Sequence, residues 1–317
     1  MTAVQLSGAG RRRGWRFRGR AWREAVSFYG FIAPWLIGFV LLSVVPLVFG
    51  LGISLTNYDG LNLDSVRFLG LQNYARALHD AEALFGISRT AVFTALYVPL
   101  ALTFALFLAG LLNQDVRGRG AFRTLFYLPY VIPIGAAAWV WRLVADGNYG
   151  LLNALLHLLR PGTAVQWLAN YATQVLVVFV VWTSVGGAMV ILLAGLQGIP
   201  KELREAALID GATPLRTFFA ITVPLLTPVL FFQLVMNLIG ALQTMVAPML
   251  LIPQPMGFNV LPPQDNRLYM TFVYFEIFTK ARFGYGTALL WILFLLVLAL
   301  TLVVFATSRF WVHYEVE

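Results

Sequence analysis

Hydrophobic residues in this chain gather into six runs, at residues 28–55, 90–112, 124–145, 171–196, 219–252 and 284–309. Each is long enough to cross a bilayer, whose hydrocarbon core of roughly 30 Å takes about 20 helical residues. An isolated strand in lipid would leave backbone N–H and C=O groups unpaired, so every run is predicted to be helical. The predicted fold class is therefore an all-α integral membrane protein with six transmembrane helices. Pro129 and Pro133 fall inside the third run. They predict kinks there, because a proline removes a helical hydrogen bond and clashes with the preceding turn.

The polar interval at 197–218 carries helix punctuation of its own. Pro200 suits a first helical turn, Gly211 suits the position just past a helix end, and Thr213-Pro214 reads as the cap and first residue of a second helix. On a helical wheel Leu203, Ala206 and Ala207 share one narrow face, with Lys201, Glu202, Arg204 and Glu205 around the rest. Leu208 and Ile209 interrupt the charged side. Two branched side chains beside charges suit a docking site in another chain. A solvated amphipathic loop lying against its own bundle fits the same pattern.

Within the runs, Gln233, Asn237, Gly240 and Thr244 fall at i, i+4, i+7 and i+11, with Gln243 beside them. This helical stripe is a candidate path for a neutral, hydroxyl-rich solute, which amides and hydroxyls match without charge. Trp182 and Ser184 in the fourth run are candidates by the same logic. Polar stripes in lipid also hold helices together, and the pattern alone does not separate the two readings.

Composition agrees with a membrane chain: of 317 residues 60% are hydrophobic and 11% charged, against about 25% charged in soluble domains. The net charge of +8 has an ordinary source in basic flanks that face the cytoplasm. Residues 1–27 hold seven arginines (Arg11, Arg12, Arg13, Arg16, Arg18, Arg20, Arg23) against Glu24 alone. With both termini cytoplasmic, the inner segments hold 14 basic and 7 acidic residues and the outer ones 8 and 7. The chain thus divides into a basic cytoplasmic segment 1–27, a membrane domain 28–309 and a cytoplasmic tail 310–317. A nucleic-acid arm at the N-terminus is the weaker reading beside an adjoining span.

Several chemistries are excluded. There is no cysteine, hence no disulfide or thiol site. His79, His157 and His313 lie far apart and outside the span centres, which disfavours a metal centre or an enzyme. Neither Lys201 nor Lys280 follows a glycine, so no phosphate-binding loop exists and ATP would be bound by a partner. No Asp, Glu, Lys, Arg or His occupies a span centre, which disfavours an ion-coupled carrier.

Against this background Glu205-Ala206-Ala207, Asp210-Gly211 and Pro224 after a run with Ile221 resemble the EAA loop of permease subunits of bacterial ABC importers; Val223 stands where leucine is commoner. Other stretches resemble the carbohydrate branch of that family, the maltose and glycerol-phosphate type. They are Gly70-Leu71-Gln72-Asn73-Tyr74, the passage from Arg117-Gly118 to Leu128-Pro129, Gly150-Leu151-Leu152-Asn153 with Trp167-Leu168, and Phe283-Gly284-Tyr285-Gly286-Thr287-Ala288. Arg89-Thr90 replaces an Asn-Thr pair, and Pro253-Gln254-Pro255-Met256-Gly257 a Gly-Gly-Pro turn.

The resemblance implies a type I ABC importer permease fold in the bacterial plasma (inner) membrane. It also implies a coupling helix in which Glu205, Ala206, Ala207, Leu208, Ile209, Asp210 and Gly211 touch a separate ATPase subunit. A second homologous permease, two ATPase subunits carrying ATP and Mg, and an extracytoplasmic solute-binding protein would complete the assembly, with a neutral sugar or polyol as solute. A non-conducting membrane scaffold or receptor subunit, and a permease for a polyamine or glycerol phosphate, are the alternatives.

Overall fold

The computed structural model describes residues 13–62, 64–114, 117–251 and 262–313, with side chains from residue 22 onward. These residues are helical apart from loops and one isolated antiparallel bridge between Thr56 and Phe68. Five helices are long and apolar enough to cross a membrane: Trp22–Ser54, Ala81–Leu112, Ala172–Gly198, Pro214–Leu242 and Phe283–Ser308. A sixth span is counted if the bent pair Arg119–Val131 and Ile134–Val144 is taken together. The spans are numbered one to six in chain order, the bent pair being the third.

Three boundaries differ from the hydrophobic pattern. Span two begins at Ala81, not near residue 90, because Asp80 caps it by accepting from the N–H groups of Glu82 (3.0 Å) and Ala83 (3.3 Å). Span five stops at Leu242, ten residues before the apolar run ends. After a break at Gln243–Met245 the chain forms only the short helix Val246–Leu250. In span three Pro129 stays inside the helix, and the 98° bend falls at Ile132-Pro133. Ile132 takes ψ 131°, the extended conformation that a following proline imposes.

The chain divides into two compact units, Met1–Ile53 and Ser54–Glu317. The first is one long helix whose apolar window buries none of its residues. It passes through a π turn at Val40–Val44 in which the Val45 N–H reaches back to the Val40 carbonyl, one residue before Pro46. A second π turn, Phe218–Thr222, ends in the same way, with the Val223 N–H on the Phe218 carbonyl just before Pro224. Widening the turn moves the carbonyl away from the proline ring that would otherwise strike it.

The second unit is built around spans two and four. Ala101, Ala105 and Ala109, all fully buried, form a small-residue stripe on span two that lets the helices approach closely. Phe93, Leu176, Phe179, Met189 and Leu192 fill the space between them. Span three packs against span four backbone to backbone: a Cβ on Gly186 would stand 2.6 Å from the Phe126 carbonyl oxygen.

The end of the bundle opposite residues 197–218 is tied by buried polar side chains. Asn73 donates to the Ser54 and Thr56 carbonyls (2.9 and 2.8 Å), and the Tyr74 hydroxyl meets Ser54 Oγ at 2.7 Å. Asn153, 1% exposed, donates to the Gly147 and Val165 carbonyls and accepts from Trp167 Nε1 at 2.8 Å. Arg89 bonds Thr173 Oγ1 (2.6 Å) and pairs with Asp265 (3.2 Å), while Thr90 Oγ1 accepts the Tyr269 N–H at 2.9 Å. The motif residues at this end are staples between spans, and Arg89-Thr90 supplies a polar anchor of its own. The Pro253-Gln254-Pro255-Met256-Gly257 turn lies outside the described residues, as do Arg11, Arg12 and residues 314–317.

Candidate functional site

Lys201–Ile209 is a nine-residue helix at the end of the bundle where span four stops and span five begins. Pro200 is its cap, not its first helical residue, with ψ 132°. The helix closes in a Schellman motif: the Ala212 N–H bonds the Ala207 carbonyl (2.9 Å) and the Gly211 N–H the Leu208 carbonyl (3.1 Å). Gly211 sits at φ +81°, in the left-handed region, and a Cβ there would meet no described atom within 4 Å. The demand for glycine at this bend is therefore one of backbone conformation, about 1–2 kcal/mol for an ordinary residue, with no crowding added. Two residues on, Thr213 Oγ1 accepts the Arg216 N–H at 3.3 Å with Pro214 as first helical residue, and the chain enters span five.

The face anticipated from Leu203, Ala206 and Ala207 does not lie on the bundle as a unit. Ala207 is buried, while Leu203, Ala206 and Glu205 are exposed. Ile209 is 86% exposed and Leu208 51%, with Leu215 and Phe219 also exposed beyond the bend. Charged Lys201, Glu202, Arg204 and Asp210 ring these apolar side chains, all exposed. The helix is thus held by its ends and by one alanine, and it presents branched side chains outward.

Deeper in the unit, spans two, four and five meet in a polar network. The Tyr97 hydroxyl donates to Asn237 Oδ1 at 2.9 Å and lies 3.1 Å from Ser184 Oγ. Asn237 Nδ2 donates to the Gln233 carbonyl at 2.8 Å, and Gln233 itself is 4% exposed. Ser184, Gln233 and Asn237 are therefore brought together. Trp182 stands instead in an aromatic group with Trp141 of span three, ring centres 5.8 Å apart. Gly240 and Gln243 are exposed toward the far end of span five. Thr244 lies past the helix end, although its hydroxyl still reaches the Gly240 carbonyl at 3.0 Å. Tyr97 was missed by the stripe argument; a tyrosine hydroxyl within an apolar span must find a partner, and that was the available signal. Among the described residues no group of three or more His, Asp or Glu is arranged to hold a metal.

Residues 101–313 match the family described as "Binding-protein-dependent transport system inner membrane component". The chain is 37% identical over 297 residues to the probable ABC transporter permease protein YesP of Bacillus subtilis, covering 92% of this chain and 94% of that protein. It is 33% identical over 291 residues to the trehalose/maltose transport system permease protein MalF of Thermococcus litoralis, covering 91% and 96%. In a crystal structure of a bacterial ABC transporter involved in the import of the acidic polysaccharide alginate, one chain superposes with a TM-score of 0.76 at 21% identity. The match covers 94% of this chain and 99% of that one, and it shows a shared fold. With a bundle of apolar spans and a family match over two thirds of its length, this chain belongs to the binding-protein-dependent inner membrane components, the permease subunits of ABC importers.

Proposed function

We propose that this permease carries a neutral sugar or related polyol, handed over by an extracytoplasmic binding protein, and is driven through its Lys201–Ile209 helix by a separate ATPase subunit. Beside it would stand a second, homologous permease, and two ATPase subunits would hold the ATP and Mg. Both termini and residues 197–218 would face the cytoplasm, in keeping with the basic excess of those segments.

The observation that carries the coupling reading is the outward set of Leu208 and Ile209 on a helix anchored by Ala207 alone. A loop folded onto its own bundle would hide its branched residues first, since each buried Leu or Ile is worth about 1.5–3 kcal/mol. Glu205 to Gly211 would fill a groove on the ATPase, with the Gly211 bend fixing the angle at which the push enters span five. For the solute, the Tyr97–Ser184–Asn237–Gln233 network supports a path that offers hydroxyl and amide groups. In the packed state it joins three spans; opening the bundle would free the same groups for sugar hydroxyls. Gly240, Gln243 and Thr244 would line the far mouth, and Trp182 would offer an apolar ring face.

The test is reconstitution of the assembled transporter in vesicles with its binding protein. Glu205→Arg and Ile209→Asp should insert normally, lose ATPase-subunit retention and abolish uptake; retained uptake in both variants would sink the coupling role. Asn237→Ala should change apparent affinity among neutral sugars and keep ATPase binding. Uptake confined to charged solutes would overturn the sugar reading while leaving the coupling helix intact.

A further inference from the structure

A cleft of about 260 Å³ lies between spans two and six, away from the Tyr97 network. Span two lines it with Ile87, Thr90, Ala91, Thr94 and Ala95, and span six with Ile292, Leu293, Leu296 and Leu300; Leu242 and Tyr269 complete it. Its cause is local: Ala91 and Ala95, both exposed and one helical turn apart, leave a gap that longer side chains would close. The Tyr269 ring forms a fixed wall, since its hydroxyl donates to the Leu289 carbonyl at 3.0 Å and its N–H to Thr90 Oγ1.

Two features define what fits. On each span the lining covers eight residue steps, about 12 Å along the helix. An α-helix of that length, about 10 Å across, would need on the order of 900 Å³. A second polypeptide span therefore cannot enter, whereas a chain one methylene wide can. The other feature is the Thr94 hydroxyl, which is buried with no hydrogen-bond partner among the described residues, in a residue only 8% exposed. Thr90, one turn earlier, satisfies its own hydroxyl on the Gly86 carbonyl at 2.8 Å; Thr94 makes no such bond. Thr94 is five residues, about 7.5 Å, below Arg89, which with Asp265 belongs to the polar layer closing this end of the bundle. That depth is where a glycerolipid places its ester carbonyls, between headgroup and hydrocarbon.

We propose that the cleft is a binding site for one acyl chain of a membrane glycerophospholipid, with the Thr94 hydroxyl donating to the ester carbonyl and the chain lying along Ile292, Leu296 and Leu300. The bound chain supplies packing that spans two and six do not give one another, and it ties their relative position to the lipid.

The assembled transporter, in nanodiscs containing a phosphatidylglycerol with a mid-chain diazirine, is irradiated and its labelled peptides are mapped. Labelling should concentrate on residues 87–95 and 292–300, well above the level on the lipid-exposed first span. Ala95→Trp, at an exposed position, should fill the cleft and remove that excess without changing label on span one. Thr94→Val should keep the fold and lower lipid retention after detergent washing by about fivefold, the worth of one buried hydrogen bond. Labelling no denser in the cleft than on span one would overturn the proposal. So would labelling that survives Ala95→Trp, or cross-links from this cleft to a partner polypeptide instead of lipid.

Discussion

At the scale of single residues, two backbone positions govern the ends of helices that matter here. Gly211 holds φ +81° in open space, so replacing it tests conformation alone. Gly211→Ala should weaken the bend by about 1 kcal/mol and lower ATPase-stimulated uptake, whereas Gly211→Asn, which tolerates the left-handed region, should recover most of it. Equal uptake by all three proteins would mean that the angle at this bend is immaterial. Asp80 does the corresponding work at the far end. Burial acts to raise its pKa, but the Tyr285 hydroxyl, the Ala83 and Glu82 N–H groups and nearby Arg76 together outweigh it and hold the carboxyl below its ordinary value of 3.8. A depressed pKa stabilises the fold fully above the ordinary value, and that contribution is lost as pH falls through the lower, folded-state value. The Tm of the wild-type protein should thus drop as pH is lowered past about 4, and Asp80→Asn should be less stable at neutral pH with a flatter acid limb. Parallel pH curves for the two proteins would remove Asp80 from the account.

At the scale of elements, proline decides where spans bend and where they merely widen. Pro133 follows Ile132 in an extended conformation and splits span three by 98°. Pro46 and Pro224 each follow a π turn that keeps the helix going. The turn at Phe218–Thr222 lies between the exposed Lys201–Ile209 helix and the Asn237 network, so any movement of one reaches the other through it. Pro224→Ala restores the missing N–H and should let the turn close to regular α-helix, rotating the segment before it by about 100° against the segment after it. Spin labels at Ile209→Cys and Phe232→Cys should report a shifted distance distribution in that variant, together with reduced uptake. An unchanged distribution would show that buried Thr217 and Thr222 hold the turn and the proline does not.

At the scale of the whole molecule, the absence of native cysteine makes orientation directly measurable. Ile209→Cys should react with an impermeant maleimide only in inside-out vesicles, and Leu158→Cys only in right-side-out ones; reversal of the pair would invert the proposed topology. Much of this architecture was written in the sequence. Hydrophobic run length is a one-dimensional property that the bilayer reads directly, so six spans and an all-α fold followed from it, as did the helix-glycine-helix form of residues 197–218. What the run lengths could not mark were ends set by side chains reaching across the fold: Asp80 extending span two, and the polar break at Gln243 shortening span five. Which polar residues meet was also left to tertiary structure. Gln233, Asn237 and Thr244 share a stripe on paper, yet Asn237 joins Tyr97 and Ser184 from two other spans while Thr244 falls beyond the helix. Likewise Ala91 and Ala95 read as ordinary apolar positions until span six and Tyr269 stand opposite and leave a gap between them. Length and punctuation belong to the chain itself, whereas contact and cavity belong to the packing of spans that lie far apart along it.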